Sequence, residues 1–161
     1  VMGHSDFSVG MKRKVWSEGK VRPLFSMIPS LSMPVGNRRF TSYAVAPGVK
    51  LSMEKGVWGD VAISGNACWT AWKDELGRYA ESVQTLGLER DVGLGFGAFW
   101  EVYRRKAEHR PGAAQYIVDS GVARRLNRNV VVDVSVGRVM ERGMQAWFIG
   151  FGIAFRHFLE Q

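Results

Sequence analysis

The chain has 161 residues and a formal charge of +7, and it contains 19 Gly, 6 Trp and a single Cys. Its length suits one domain, 1–161. No apolar run is long enough for a transmembrane helix, and the lone Cys68 excludes an internal disulfide framework or a multi-cysteine metal centre.

In chain order, apolar residues recur at every second position almost throughout, and a helical 3.6 period is hard to find. Phe7, Val9, Met11 and Val15 alternate with Ser8, Gly10, Lys12 and Lys14. Val21, Phe25, Met27, Leu31 and Met33 then alternate with Arg22, Ser26, Ser30 and Ser32. Tyr43, Val45, Val49, Leu51 and Met53 mark a third segment, and Val57, Val61, Ile63 and Trp69 a fourth, with Asp60, Ser64 and Asn66 on the opposite parity. Over 79–88 the phase slips between Val83 and the pair Leu86 and Leu88. Val92, Leu94, Phe96, Ala98, Trp100 and Val102 alternate with Gly93, Gly95, Gly97 and Glu101. Tyr116, Val118 and Val122 mark 114–124, and Val130, Val132, Val134 and Val136 mark 130–137.

The last segment, Trp147 to Phe155, carries the strongest signal. Ile149, Phe151, Ile153 and Phe155 point one way, and Phe148, Gly150, Gly152 and Ala154 the other. A half-buried strand in water would have a charged second face. Large apolar groups backed by mostly tiny ones describe a strand between lipid and a crowded lumen. The expected fold is therefore all-β, an antiparallel up-and-down transmembrane β-barrel with about nine strands present. Most of them exceed the ~9–11 residues that cross a bilayer at a tilt.

The connections are expected to alternate. Short turns fall at Ser17-Glu18-Gly19, Glu54-Lys55-Gly56, Glu89-Arg90-Asp91 and Asn127-Arg128-Asn129, and long loops at about 35–42, 73–78, 105–113 and 138–143. Bacterial barrels have short periplasmic turns, long outside loops and an even strand number. Counting back from a periplasmic C-terminus through nine strands leaves residue 1 outside. The expectation is thus an N-terminally truncated barrel of 10 or 12 strands, with no signal-like apolar segment after Val1. Trp16, Trp58, Trp69, Trp72 and Trp147 fall near expected strand ends, where an interfacial girdle belongs, although Trp also favours rims in ordinary β proteins. Pro23, Pro29 and Pro47 argue the other way, since each removes a ladder hydrogen bond.

Motifs for chemistry are weak. Gly93-Leu94-Gly95-Phe96-Gly97 lacks the spacing and the following helix of a dinucleotide fingerprint, and alternating Gly suits a bent strand or bulky neighbours. His4, His109 and His157 are scattered without metal-ligand spacing, and Cys68 lies mid-strand without a basic partner. No catalytic, cofactor-binding or metal set is expected, and no enzyme. Glu101, Asp119 and Asp133 lie on the polar parity of three consecutive strands and should project inward, with Ser30, Ser64 and Asn66 as further lumen-lining candidates. A carboxylate in a narrow barrel needs a partner or water to stay ionised. Either Lys12, Lys14, Arg22 or Lys50 pairs with these acids in a structural network, or they line a solute path and set its selectivity.

The basic excess gathers in the expected loops and adjoining strand ends, at Arg38, Arg39, Lys73, Arg78, Arg104, Arg105, Lys106, Arg110, Arg138 and Arg142. It is scattered over every long loop, unlike the single face with stacking aromatics that nucleic acid requires. The expected partner is the phosphate of outer-leaflet lipid and lipopolysaccharide.

Gly3-His4-Ser5-Asp6 opens a strand, Met33-Pro34-Val35-Gly36 closes the next, Phe99-Trp100-Glu101 lies in the Gly-rich strand, and Val132-Asp133 precedes the Gly-rich closing strand. In this order and spacing, from Gly3 to Phe158, the chain resembles the outer-membrane β-barrel transporter family named for the MetA-pathway of phenol degradation. That family pattern usually ends on an aromatic, whereas Leu159-Glu160-Gln161 follow Phe158 here. The resemblance implies a Gram-negative outer-membrane barrel, inserted by the barrel-assembly machinery, that passes small aromatic or hydrophobic compounds by diffusion without a cofactor. A structural or adhesive barrel with a plugged lumen and a soluble lipocalin-like ligand-binding barrel are the alternatives.

Overall fold

The computed structural model describes residues 6–37, 41–74, 76–108, 112–141 and 143–155. His4, His109 and His157 therefore lie outside the described residues, as do Arg38, Arg39, Arg110 and Arg142. The described residues form an antiparallel up-and-down sheet without a helix. Its strands are β1 (Phe7–Gly10), β2 (Arg13–Trp16), β3 (Leu24–Met33), β4 (Ala46–Trp58), β5 (Val61–Asp74), β6 (Gly77–Gly93), β7 (Phe96–Glu108), β8 (Gln115–Arg125), β9 (Val130–Glu141) and β10 (Met144–Phe155). From β3 onward each strand pairs with the next, while β1 and β2 lie end to end along the free edge of β3. Eight antiparallel steps then separate the β1 edge from the β10 edge, so those two strands run in the same direction.

The ten strands correct the expected nine, and Pro29 supplies the reason. Gly10 pairs with Ser30, and the Met11 amide still donates to the Pro29 carbonyl at 3.1 Å. Pro29 has no N–H to return the bond, so the ladder breaks at Met11–Lys12 and one expected strand becomes β1 and β2. The other prolines lie where the ladder does not need them. Pro23 precedes β3 and its carbonyl accepts the Trp16 indole N–H at 2.9 Å. Pro47 stands one residue before the β4–β5 ladder begins at Gly48 opposite Thr70.

Four connections form what we call the lower rim: residues 17–23, Gly59–Asp60, Leu94–Gly95 and 126–129. The upper rim is the end where β3 connects to β4, β5 to β6, β7 to β8 and β9 to β10. The expected alternation of short and long fails. Residues 73–74 and 77–78 are paired strand, Lys73 with Arg78 and Asp74 with Gly77, and β9 continues to Glu141 opposite Met144. The expected turns at 54–56 and 89–91 are likewise ladder residues of β4 and β6. Charged strand ends that run past the apolar zone look like loops in sequence. Gly93, Leu94 and Gly95 all have positive φ, at 85°, 54° and 77°, and make the β6–β7 turn rather than the middle of a strand.

Register divides the side chains cleanly between two faces. One face reads Phe7, Val9, Leu31, Val49, Trp69, Leu86, Trp100, Val122, Val134 and Phe151 along the pairing, with their neighbours two residues away. Within the strands, most charges on this outer face lie toward the rims, but Arg13 stands opposite Met27 well inside β3 and Arg104 opposite Gln84 midway along β6. No second layer covers it: Phe151 is 84% exposed, Ile149 70% and Phe155 74%, and Ala46 is the one buried hydrophobic side chain among the described residues. Trp16 stacks on Phe25 of this face with ring centroids 4.7 Å apart. Trp72 departs from the expected girdle, because it lies on the opposite face, where its indole donates to Glu81 at 3.2 Å. The opposite, inner face carries the polar parity and surrounds a cavity of about 600 Å³ at the lower rim, walled by residues from β5 to β9. A sheet wrapped around a cavity from five strands is curved toward that face.

Candidate functional site

The inner face is the candidate site, and the ladder builds it in rows. Ser64, Gly87, Glu101, Asp119 and Gly137 are successive partners across β5 to β9. Beside them run Asn66, Thr85, Tyr103 and Ile117, with the Asn66 amide donating to the Thr85 hydroxyl at 2.8 Å. On the other side Ala62, Glu89, Phe99, Gly121 and Ser135 form a third row. Asp133 follows two residues from Ser135, with its carboxylate over Gly152 of β10. All six sequence-derived candidates thus face inward. Ser64, Asn66, Glu101, Asp119 and Asp133 gather on neighbouring strands. Ser30 stands apart on β3, opposite Gly10 and Gly48.

Packing holds this surface open in a specific way. Phe99 pairs with Gly121, and Phe148 with Gly137, and each ring lies over its glycine where any Cβ would collide with it. Aromatic rings covering facing glycines restore packing that the glycines lack, and they stiffen a curved sheet. They also keep bulky groups flat against the wall of β8 to β10.

Among the described residues, Glu101, Asp119 and Asp133 make no ion pair. Ion pairs form instead at Lys55–Glu18, Arg105–Glu81 and Lys106–Glu108. The expected partners Lys14 and Lys50 face inward on β2 and β4, beside Ser26 and Cys68, several strands away. Glu101 accepts a short hydrogen bond from the Tyr103 hydroxyl, and Oδ1 of Asp119 is inaccessible and has no hydrogen-bond partner. Glu89, which sequence reasoning missed, accepts from Ser64 at 3.4 Å and lines the cavity with Asp60, Asp91, Glu101 and Asp133. Arg90 and Arg125 reach the same cavity. Anchoring the parity of β6 on Leu86 and Leu88 would have placed Glu89 inward. Cys68 is half-buried on the inner face opposite Lys50, a basic neighbour that the sequence did not suggest.

Two clasps fasten the rims outside the main span. At the upper rim, Asp6 accepts from the Gly36 amide at 3.0 Å and from the Ser42 amide and hydroxyl at 2.8 and 2.7 Å. These bonds, the Ser42 amide first, lower its pKa to about 2. At the lower rim, Glu18 accepts from Lys55 at 2.8 Å and from the Gly56 amide at 3.1 Å, and both lower its pKa.

Chemically, the arrangement offers an aqueous, hydroxyl- and carboxylate-lined wall. No group of His, Cys, Asp and Glu among the described residues is placed to hold a metal ion. In comparisons with protein-family models, curated proteins and solved structures, the chain matches none.

Proposed function

We propose that the chain forms the wall of a Gram-negative outer-membrane β-barrel of the phenol-degradation transporter type, through which small solutes diffuse. The observation that carries this reading is the outer face. It is largely apolar and covered by nothing, while most of the polar residues face inward, toward a cavity. In water each large exposed side chain forgoes about 1.5–3 kcal/mol of burial, and Ile149, Phe151, Ile153 and Phe155 together forgo an amount comparable to the 5–15 kcal/mol stability of a whole domain. A hydrocarbon environment recovers it.

A lipocalin-like barrel would show the reverse, an apolar lumen and a wet exterior. An inner face rich in unpaired acids favours cationic or neutral polar solutes over anions, which is narrower than the hydrophobic cargo the family resemblance implies. The test is to fold the protein in detergent, fuse it into planar bilayers and record conductance. Stepwise currents with cation preference support the channel. Stable insertion without current assigns a plugged, structural barrel. A monodisperse folded protein in detergent-free buffer would remove the membrane reading altogether.

A further inference from the structure

The +7 charge of the chain is divided by the sheet rather than spread over it. At the upper rim, Lys73, Arg78, Arg104, Lys106 and Arg138 lie on the outer, apolar face. The carboxylates of the same rim, Asp74, Glu81 and Glu141, lie on the inner face, and the inward Arg105 is paired with Glu81 at 2.7 Å. Glu108 is the outward exception, 4.0 Å from Lys106. Two of the outward guanidiniums, Arg104 and Arg138, are held by neutral groups. Arg104 donates to the Gln84 carbonyl oxygen at 2.7 Å, and Arg138 donates to Gln145. Arg138 also lies 5.5 Å from the Trp147 ring centroid. Such bonds orient a guanidinium without neutralising it and leave most of its five donors free. The β-parity rule that sorts apolar from polar side chains does not by itself sort positive from negative.

Resting on the membrane reading above, we infer that this belt binds the phosphates of an anionic lipid leaflet. Arginine offers bidentate geometry for phosphate. A belt of cations along the upper part of an apolar surface, with a Trp beside one of them, suits lipid phosphates above acyl chains. Carboxylates on the same face would repel those phosphates, and at this rim they are turned away. The surface therefore joins apolar side chains for acyl chains to a cationic upper edge for headgroups. That pairing fits a lipid and not a soluble polyanion.

The experiment uses the folded 161-residue chain in neutral detergent, offered bis-phosphorylated lipid A or its dephosphorylated form, with retained lipid counted by native mass spectrometry. The expected result is a preference for the phosphorylated form of about ten-fold or more, since each cation near an anionic surface contributes roughly 1 kcal/mol. Arg78→Gln, Arg104→Gln and Arg138→Gln combined should abolish it. Arg105→Gln, on the inward paired cation, should leave it. Equal retention of both lipids by the unaltered, inserted protein overturns the inference and leaves the membrane reading standing. Tight binding of heparin without lipid, undiminished by adding lipid A, reassigns the belt to soluble polyanions and overturns it too. A chain that never enters a micelle or bilayer sinks the membrane reading and this inference with it.

Discussion

The ring of Phe148 on β10 covers Gly137, its register partner on β9, at the point where a side chain on residue 137 would stand. An added methyl group would fall inside the ring and against Asp119. Gly137→Ala should therefore destabilise the folded protein by about 1–3 kcal/mol, the usual cost of overpacking. Urea unfolding of the vesicle-inserted protein would read this as a lowered midpoint. Adding Phe148→Leu should recover only part of the loss, because the Asp119 contact remains.

Leu94 is 96% exposed and holds φ at 54° in the β6–β7 turn. A left-handed conformation costs a non-glycine residue roughly 1–2 kcal/mol, and Asn bears it more easily. Leu94→Asn should raise stability by roughly 0.5–1 kcal/mol in the same unfolding assay, with conductance unaltered. A fall in stability would mean that the Leu94 side chain has an apolar neighbour, such as lipid, that its exposure conceals.

The unpaired inner acids predict selectivity. Glu101→Gln with Asp119→Asn removes two neighbouring negative charges that face each other across β7 and β8. The cation-to-anion permeability ratio, read from the reversal potential in a salt gradient, should fall several-fold with little change in single-channel amplitude. An unchanged ratio would show that these carboxylates lie off the solute path.

The Asp6 clasp gives a pH dependence of known sign. Its carboxylate is depressed from 3.8 to about 2, so the ionised form is favoured by the folded arrangement. The clasp's contribution is complete above the unfolded value near 3.8 and is lost as pH falls through 2. Hydrogen-exchange protection of the Gly36 and Ser42 amides, taken relative to the intrinsic exchange rate at each pH, should stay high at pH 5 and fall as pH approaches 2. Asp6→Asn should lower that protection at pH 7 as well.

Much of this architecture was legible as alternation. The outward set from Phe7 to Phe155 and the inward placement of Ser64, Asn66, Glu101, Asp119 and Asp133 follow from parity alone, because a strand has no other way to present its side chains. Phase was lost only where the outer face itself turns polar. On β6, Ser82 and Gln84 face outward and are engaged by Glu108 at 2.5 Å and by Arg104, so apolar periodicity fades there and Glu89 escaped notice. Turn positions were misplaced for a related reason. Hydropathy marks where the apolar band stops, not where the ladder stops, and β5, β6 and β9 carry charged residues beyond the band. Cross-strand partners such as Phe148 with Gly137, or Asp6 with Ser42, depend on register and loop path, which composition does not encode.

Because β1 and β10 travel in the same sense, joining them directly would give a cylinder one parallel seam among antiparallel ones, with slanted and slightly weaker bonding. An antiparallel seam takes an odd number of additional strands at that position. Whatever lies there, the Met144–Phe155 main chain is a sheet edge without a second neighbour among the described residues, a template for another copy until a further strand pairs with it.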